Sequence, residues 1–395
     1  MKVLMINSVC GIRSTGRICT DIAQALEAQG HTVRIAYGRE TVPERFSRYA
    51  VRIGSDCGVK LHALKARAFD ASGFGSRFAT LRFLDWVREF DPDVIHLHNV
   101  HGYYLHVGLL FDYLRTCGKR ILWTLHDTWS FSGHSPFCGE NDCRRWETGC
   151  YSCPQRCSYP KSLTDGSARN WRKKRVLTEA LPSLTLVSPS AWLAEMVRAS
   201  FLSGYEIHVI PNGVDTRIFH PTLGTFRSDY GIGNDRILLA VSTVWDQKKG
   251  LDDYCLLAKR LPEGFRLVLV GVPDGVRASL PPETIALPVT ESAAELASIY
   301  TEAELLLNLS YSENYPTVNL EAMCCGTPVL TYDTGGSAES VRALGGIVTR
   351  KGDLDAVLQL IQTHAYRPLT EAEYSFAQKQ FDCQTTVQAY LSLYR

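Results

Sequence analysis

The chain has 395 residues, 45% of them hydrophobic and 21% charged, enough for two or three domains with buried cores, which excludes a disordered or low-complexity protein. The formal net charge is only +1, which argues against a nucleic-acid binder, yet residues 1–200 hold 27 Lys and Arg against 18 Asp and Glu, and the remainder is acidic by a similar margin. The apolar run at the N-terminus is too short for a signal peptide, and no stretch approaches the roughly 18 apolar residues of a membrane span. Thirteen cysteines in such a chain point to a reducing cytosol, with free thiols or metal rather than a disulfide framework.

In chain order, the first half alternates strand and helix. A strand at Val3–Asn7 enters SVCGIRSTGR, where Gly11 and Gly16 bracket the turn into a helix with Ile18, Ile22, Ala25 and Leu26 on one face. Glycines at such a turn let backbone amides approach a phosphate, although many α/β proteins need them for the turn alone. Strands follow at Thr32–Tyr37, Asp93–His98 and Ile121–His126, with the near-continuous apolar runs of a parallel sheet covered on both faces. His98, Asn99 and His101 follow one strand end, and His126 and Asp127 the next, where side chains face a ligand cleft or cap a turn.

Residues 134–160 form a cysteine-rich insertion. Cys138, Cys143, Cys150 and Cys153 supply four thiols, and Cys157 a fifth. Cys150 and Cys153 have the spacing of a zinc knuckle and the other pair is looser, so structural zinc, free thiols and disulfides all stay open. No recognition helix follows, which argues against nucleic acid as partner. Asn170–Val176 (NWRKKRV) is a basic cluster, either a solvated helix face or a contact for membrane phosphates or a polyprenyl-diphosphate acceptor.

Proline breaks and a further strand around Leu181–Asp215 mark a domain crossing, after which the pattern repeats. Strands are expected at Ile237–Ser242, Arg266–Gly271 and Leu305–Ser310, with helices from Leu251 and near Ala293–Thr301. Lys248 and Lys249 follow the first of these strands, where paired lysines neutralise a departing diphosphate or merely open a solvated helix. The fold class expected is α/β with two Rossmann-like, doubly wound domains facing an interdomain cleft: 1–205, 206–374, and a final helical segment at 375–395.

The densest signal is Glu313–Glu339, ENYPTVNLEAMCCGTPVLTYDTGGSAE. Glu313 lies just beyond a strand's C-terminal edge. A helix beginning near Tyr315 puts Glu321 about two turns inside it and the two carboxylates roughly 12 Å apart, with room for a pyrophosphate at the helix N-terminus. The acidic pair eight residues apart, Gly326-Thr327-Pro328-Val329 and the double glycine before Glu339 together resemble the signature of retaining GT-B glycosyltransferases of family 4. The cysteine-rich segment resembles the subset acting in capsule and colanic-acid-type exopolysaccharide assembly. Two departures stand out: no arginine lies between Val241 and Gly250, so Lys248 takes that place, and Ser135 stands where the subset carries a cysteine.

The resemblance implies a retaining, metal-independent hexosyltransferase using a UDP- or GDP-sugar. Its acceptor is a glycan or a polyprenyl-diphosphate-linked oligosaccharide, and its place is the cytoplasm or the inner face of the plasma membrane. In family terms Glu313, His126 and Lys249 are catalytic, with His126 on the donor sugar and Lys249 on the departing diphosphate. Gly16, Lys248, Asn314, Tyr315, Pro316 and Thr317 hold the donor, Glu321 grips the ribose, and His98, Asn99 and His101 line the acceptor side. No cofactor is needed for catalysis, and any zinc is structural. A GT-B sugar-nucleotide epimerase and a non-catalytic subunit of a polysaccharide assembly complex are the alternatives.

Overall fold

The computed structural model describes residues 1–179 and 181–394. The chain divides into two compact units, Met1–Ile210 with Val387–Arg395, and Pro211–Thr386.

The first unit is built on strands β1 (Lys2–Ile6), β2 (Thr32–Tyr37), β3 (Ala50–Arg52), β4 (Val94–Leu97), β5 (Arg120–Thr124), β6 (Leu184–Ser188) and β7 (Glu206–Val209). They form one seven-stranded sheet in the order β3-β2-β1-β4-β5-β6-β7, every pair parallel. Strand residues alternate between two cores because successive side chains point to opposite faces. Val3 and Met5 join the buried face of helix α1 (Arg13–Ala28), together with Val387, Tyr390 and Leu391 of the last helix, Cys383–Leu393. Leu4 and Ile6 pack on the other side, against Phe83, Leu84 and Val87 of α3 (Arg77–Phe90) and Leu110 and Phe111 of α4 (Val107–Thr116). Two further helices matter below: α2 (Asp56–Phe69), capped by Ser55, and α5 (Ser167–Thr178).

The second unit repeats the plan with β8 (Arg236–Val241), β9 (Phe265–Val270), β10 (Ile285–Leu287), β11 (Leu305–Asn308), β12 (Val329–Tyr332) and β13 (Ile347–Thr349). This six-stranded sheet runs β10-β9-β8-β11-β12-β13, again wholly parallel. Ile237 and Leu239 enter one core, and Leu238 and Ala240 the other.

The final segment differs from the single helical pattern read from the sequence. It is two helices, Glu371–Phe381 and Cys383–Leu393. The break at Asp382 has a local cause. Asp382 leaves the helical region (φ −58°, ψ 128°), and the backbone around it pairs with Val214 through Val214 N to Phe381 O at 2.8 Å and Cys383 N to Val214 O at 2.9 Å. Its carboxylate accepts from Gln384 N at 2.7 Å and from the Thr216 hydroxyl at 3.0 Å, so Asp382 acts as a cap.

Candidate active site

In each sheet the strand order reverses once, between β1 and β4 in the first unit and between β8 and β11 in the second. At such a switch point the two connections leave in opposite directions and open a crevice beyond the C-terminal strand ends. In the second unit the crevice is lined by the loops after β8 and β11. Lys249 comes from the first and Glu313 from the second, and they form a direct ion pair. The loops are held together by their backbones, with Tyr311 N donating to Lys248 O at 2.8 Å. Gly250 sits at φ +76°, and a Cβ there would run into the Leu309 carbonyl oxygen. Only glycine allows the lysine loop to approach the end of β11 this closely.

Beyond Glu313 the chain passes Asn314, Tyr315 and Pro316 into a helix spanning Thr317–Cys324. The backbone is fixed by Asn212 Nδ2 donating to Tyr315 O at 2.9 Å and Gly336 N donating to Glu313 O at 3.3 Å. Pro316 occupies the cap position and supplies no side-chain oxygen, so no cap covers the first-turn amides. The helix starts two residues later than the sequence suggests. Glu321 is therefore four residues past its first position, about 6 Å of rise, one turn rather than two. The cause is Pro316, which disfavours the helical conformation for Tyr315 before it and, lacking an N–H, itself suits the edge of a helix.

Glu321 is buried, and the Tyr300 hydroxyl donates to its Oε2 at 2.9 Å. Asn319, two residues earlier in the same helix, is buried as well. It accepts from Asn308 Nδ2 at 2.9 Å and donates to the Ser337 hydroxyl at 3.2 Å, while Thr331 Oγ1 meets the same hydroxyl at 2.7 Å. This network ties the helix to β11, to β12 and to the glycine loop at 335–336. A buried polar group is tolerated only when satisfied, so these bonds fix the orientation of the helix. Tyr300 and Asn319 were not singled out from the sequence. Tyr300 carries no local signal, and Asn319 shows only as a polar residue inside an apolar helix.

The first unit holds the histidines. His98 follows β4, and its Nδ1 lies 3.0 Å from His126 Nε2 beyond β5. His101 Nε2 lies 2.8 Å from Asp127 Oδ2, and Asp127 Oδ1 accepts from Trp129 N at 2.8 Å. Burial pushes the His126 imidazole down to about 4, opposed by the neighbouring Asp127 charge, and burial holds His98 well below the usual range. Asp127 itself is held low: burial pushes its carboxyl up, but the His101 interaction and the Trp129 amide outweigh that. Asn7, also missed from the sequence, donates to Val9 O at 2.8 Å and accepts from Asn99 N at 3.2 Å. It thereby joins the ends of β1 and β4 at the crevice. Gly16 lies in the first turn of α1 and is buried, and the close approach seen there is of the chain's own loop. A Cβ would stand 3.1 Å from Val9 Cγ2 and 3.2 Å from Gly11 N.

All thirteen cysteines are free thiols. Burial pushes the Cys138 thiol up to about 12 and those of Cys150 and Cys153 up to about 11, and Gly133 N donates to Cys150 Sγ at 3.2 Å. Among the described residues no three His, Cys, Asp or Glu side chains group as a metal ion requires, so Cys138, Cys143, Cys150 and Cys153 do not form a coordination shell as they stand.

Residues 15–218 match the model of Glycosyltransferase Family 4, and residues 224–365 match that of Glycosyl transferases group 1. The chain belongs to glycosyltransferase family 4. A curated relative of this family 4 glycosyltransferase is the putative colanic acid biosynthesis glycosyl transferase WcaC of Escherichia coli (strain K12), 24% identical over 92% of this chain and 90% of that one. Among solved structures, the sucrose-phosphate synthase of Thermosynechococcus elongatus superposes with a TM-score of 0.75 at 17% identity, covering 100% of this chain and 98% of the other. Anabaena HepE in complex with UDP-glucose superposes at 0.67 with 16% identity, covering 99% and 98%. These likenesses establish the GT-B fold, with two Rossmann-like units. Among the described residues no helix is long and apolar enough to cross a membrane.

Proposed function

We propose that this family 4 glycosyltransferase moves a hexose from a nucleotide-sugar donor, UDP-linked in the first instance, to a glycan or lipid-linked acceptor, with retention of anomeric configuration. The observation that carries the reading is the Lys249–Glu313 pair at the β8/β11 switch point, beside a helix whose first turn has no side-chain cap. A diphosphate placed there gains the helix dipole and the Lys249 ammonium, both of which stabilise the charge that grows as the glycosidic bond breaks. Glu313, released from Lys249, accepts from sugar hydroxyls. Glu321, oriented by Tyr300, accepts from the ribose hydroxyls. His126, held neutral by burial, donates or accepts at the sugar without adding charge. Asn314–Thr317 hold sugar and phosphate, with Lys248 in support and Gly16 on the phosphate side. His98, Asn99 and His101 line the acceptor side.

Because lysine and helix amides carry the phosphate charge, the reaction is expected to proceed in a chelator. The UDP preference draws on Anabaena HepE, solved with UDP and with UDP-glucose. The setting, cell-surface polysaccharide assembly at the inner face of the plasma membrane, draws on the relative named for colanic acid biosynthesis. A thermal-shift screen of UDP-, GDP- and ADP-sugars tests the donor, since a ligand bound by the folded state raises the melting temperature by mass action. NMR of the product's anomeric proton tests retention. An inverted product, or a donor epimerised without acceptor, overturns the assignment.

A further inference from the structure

The first unit carries a surface that the transfer chemistry leaves unused. On α2, Leu61, Leu64 and Phe69 are 62%, 65% and 62% exposed, and Val176 on α5 is 62% exposed. Leu163, 68% exposed, is fixed at the end of α2 by Leu163 N donating to Arg67 O at 2.7 Å. The turn into α3 is bound to α2 by Gly75 N donating to His62 Nε2 at 2.9 Å, and it presents Phe78, 83% exposed. Between α2 and α5 runs a groove of about 740 Å³, floored by Phe74, Ala71 and Leu177 and edged by Phe69, Lys65 and Lys173. Single exposed leucines need no explanation, but a cluster of large apolar side chains around an apolar groove does.

The charges around this patch share one sign. From Ser167 to Thr178 the α5 helix has no acidic residue, and its Arg169, Arg172 and Lys173 line the groove, whereas Lys174 is buried and donates to Trp129 O at 2.6 Å. On α2, Lys60, Lys65 and Arg67 face a single carboxylate, Asp56, which is paired with Arg52. Lys65 and Lys173 converge on the groove, Lys65 Nζ donating to Phe74 O at 3.0 Å and Lys173 Nζ lying 5.1 Å from the Phe74 ring. Cations bordering exposed apolar side chains match the boundary of an anionic bilayer, where phosphates lie above acyl chains.

We infer that the α2–α5 face docks this protein on an anionic lipid bilayer. Leu61, Leu64, Phe69 and Val176 enter the acyl boundary, and Lys65, Arg172 and Lys173 contact lipid phosphates. The proposal deepens the membrane-facing part of the proposed function and is independent of its donor chemistry.

The test is co-sedimentation of the full chain with vesicles of phosphatidylcholine alone and of phosphatidylcholine with phosphatidylglycerol. Binding is expected only to the anionic vesicles and is lost at high salt. Each cation removed costs about five-fold in partitioning, so Lys65→Gln with Lys173→Gln weakens it roughly twenty-five-fold. Leu61→Ser with Leu64→Ser abolishes it. The melting temperature and the UDP-sugar thermal shift of each variant are measured alongside. Unchanged values show that the variants fold and that the donor reading stands whatever the vesicles show. Absence of binding to either vesicle, equal binding to both, or binding unaffected by the double lysine variant overturns the proposal.

Discussion

His98 Nδ1 and His126 Nε2 stand 3.0 Å apart with their rings stacked 14° from parallel, two imidazoles sharing one hydrogen bond at adjacent strand ends. A single proton fits between the two nitrogens, so one ring donates and the other accepts, and the bond is lost once both facing nitrogens carry a proton. Behind it His96 lies between the Tyr394 hydroxyl at 2.7 Å and Thr124 Oγ1 at 2.8 Å, its ring 4.1 Å from that of His98. Acid therefore attacks the site and the fold together.

Burial lowers His62 and His126 to about 4 and His96 to about 3. In the unfolded chain these imidazoles take up protons near pH 6.5, in the folded protein only near 4 or below. The unfolded state thus binds more protons across that window, and stability present above pH 6.5 is lost as the pH falls toward 4. At about pH 5.5 each such histidine costs roughly 1.4 kcal/mol, so the three together cost on the order of 4 kcal/mol. Urea denaturation at neutral pH and at pH about 5.5 measures this. A flat profile would show that these rings are solvated.

Glu313 and Lys249 neutralise each other in the structure and are expected to part when donor binds. Lys249→Ala should lower kcat by about a hundred-fold or more, the usual consequence of removing a group that stabilises transition-state charge. Glu313→Gln should lower kcat while leaving the melting temperature within a degree or two, because the pair is partly exposed and contributes little to folding. Steady-state kinetics with the preferred nucleotide sugar decide both. Wild-type turnover in either variant would remove the pair from the mechanism.

Tyr300→Phe deletes only the hydroxyl that donates to Glu321. The loss is a buried hydrogen bond to a carboxylate, about 1.5–3 kcal/mol of stability. If Glu321 binds ribose in ground and transition states alike, KM for the donor rises and kcat holds. A kcat loss at constant KM would instead place Glu321 at the reacting centre.

At Gly250 an added methyl group meets the Leu309 carbonyl in a left-handed backbone conformation. Gly250→Ala should therefore destabilise the second unit by about 2 kcal/mol or more and shift Lys249 away from Glu313. Chemical denaturation checks the first effect and the donor thermal shift the second. A neutral substitution would mean that the loop is free to relax.

The strands read from the sequence lie within the two sheets, where flanking helices demand long apolar runs. The short elements β3, β10 and β13, with β7, were not resolved as separate strands, and all four are sheet edges. An edge strand has one neighbour, so it can be three or four residues long and only half apolar, and it leaves no hydrophobic signature. The site shows the same division. As candidates, Glu313, Lys249 and His126 stood out because loops at the ends of parallel strands carry polar residues with no packing duty there, and Glu321, inside its helix, stood out only by its spacing from Glu313. Tyr300 and Asn7 did not, because their meaning lies in partners distant along the chain, Glu321 and Asn99.

By itself, then, the sequence determined that this is a two-sheet parallel α/β protein whose Glu313–Glu339 segment resembles a family 4 donor site. Those features are written in local periodicity and in spacing along one chain segment. Only the tertiary structure decided that Glu313 meets Lys249, that Glu321 lies one turn into its helix and is oriented by Tyr300, and that His98 pairs with His126. Which strand ends become neighbours depends on strand order, and strand order is set by the packing of the whole unit.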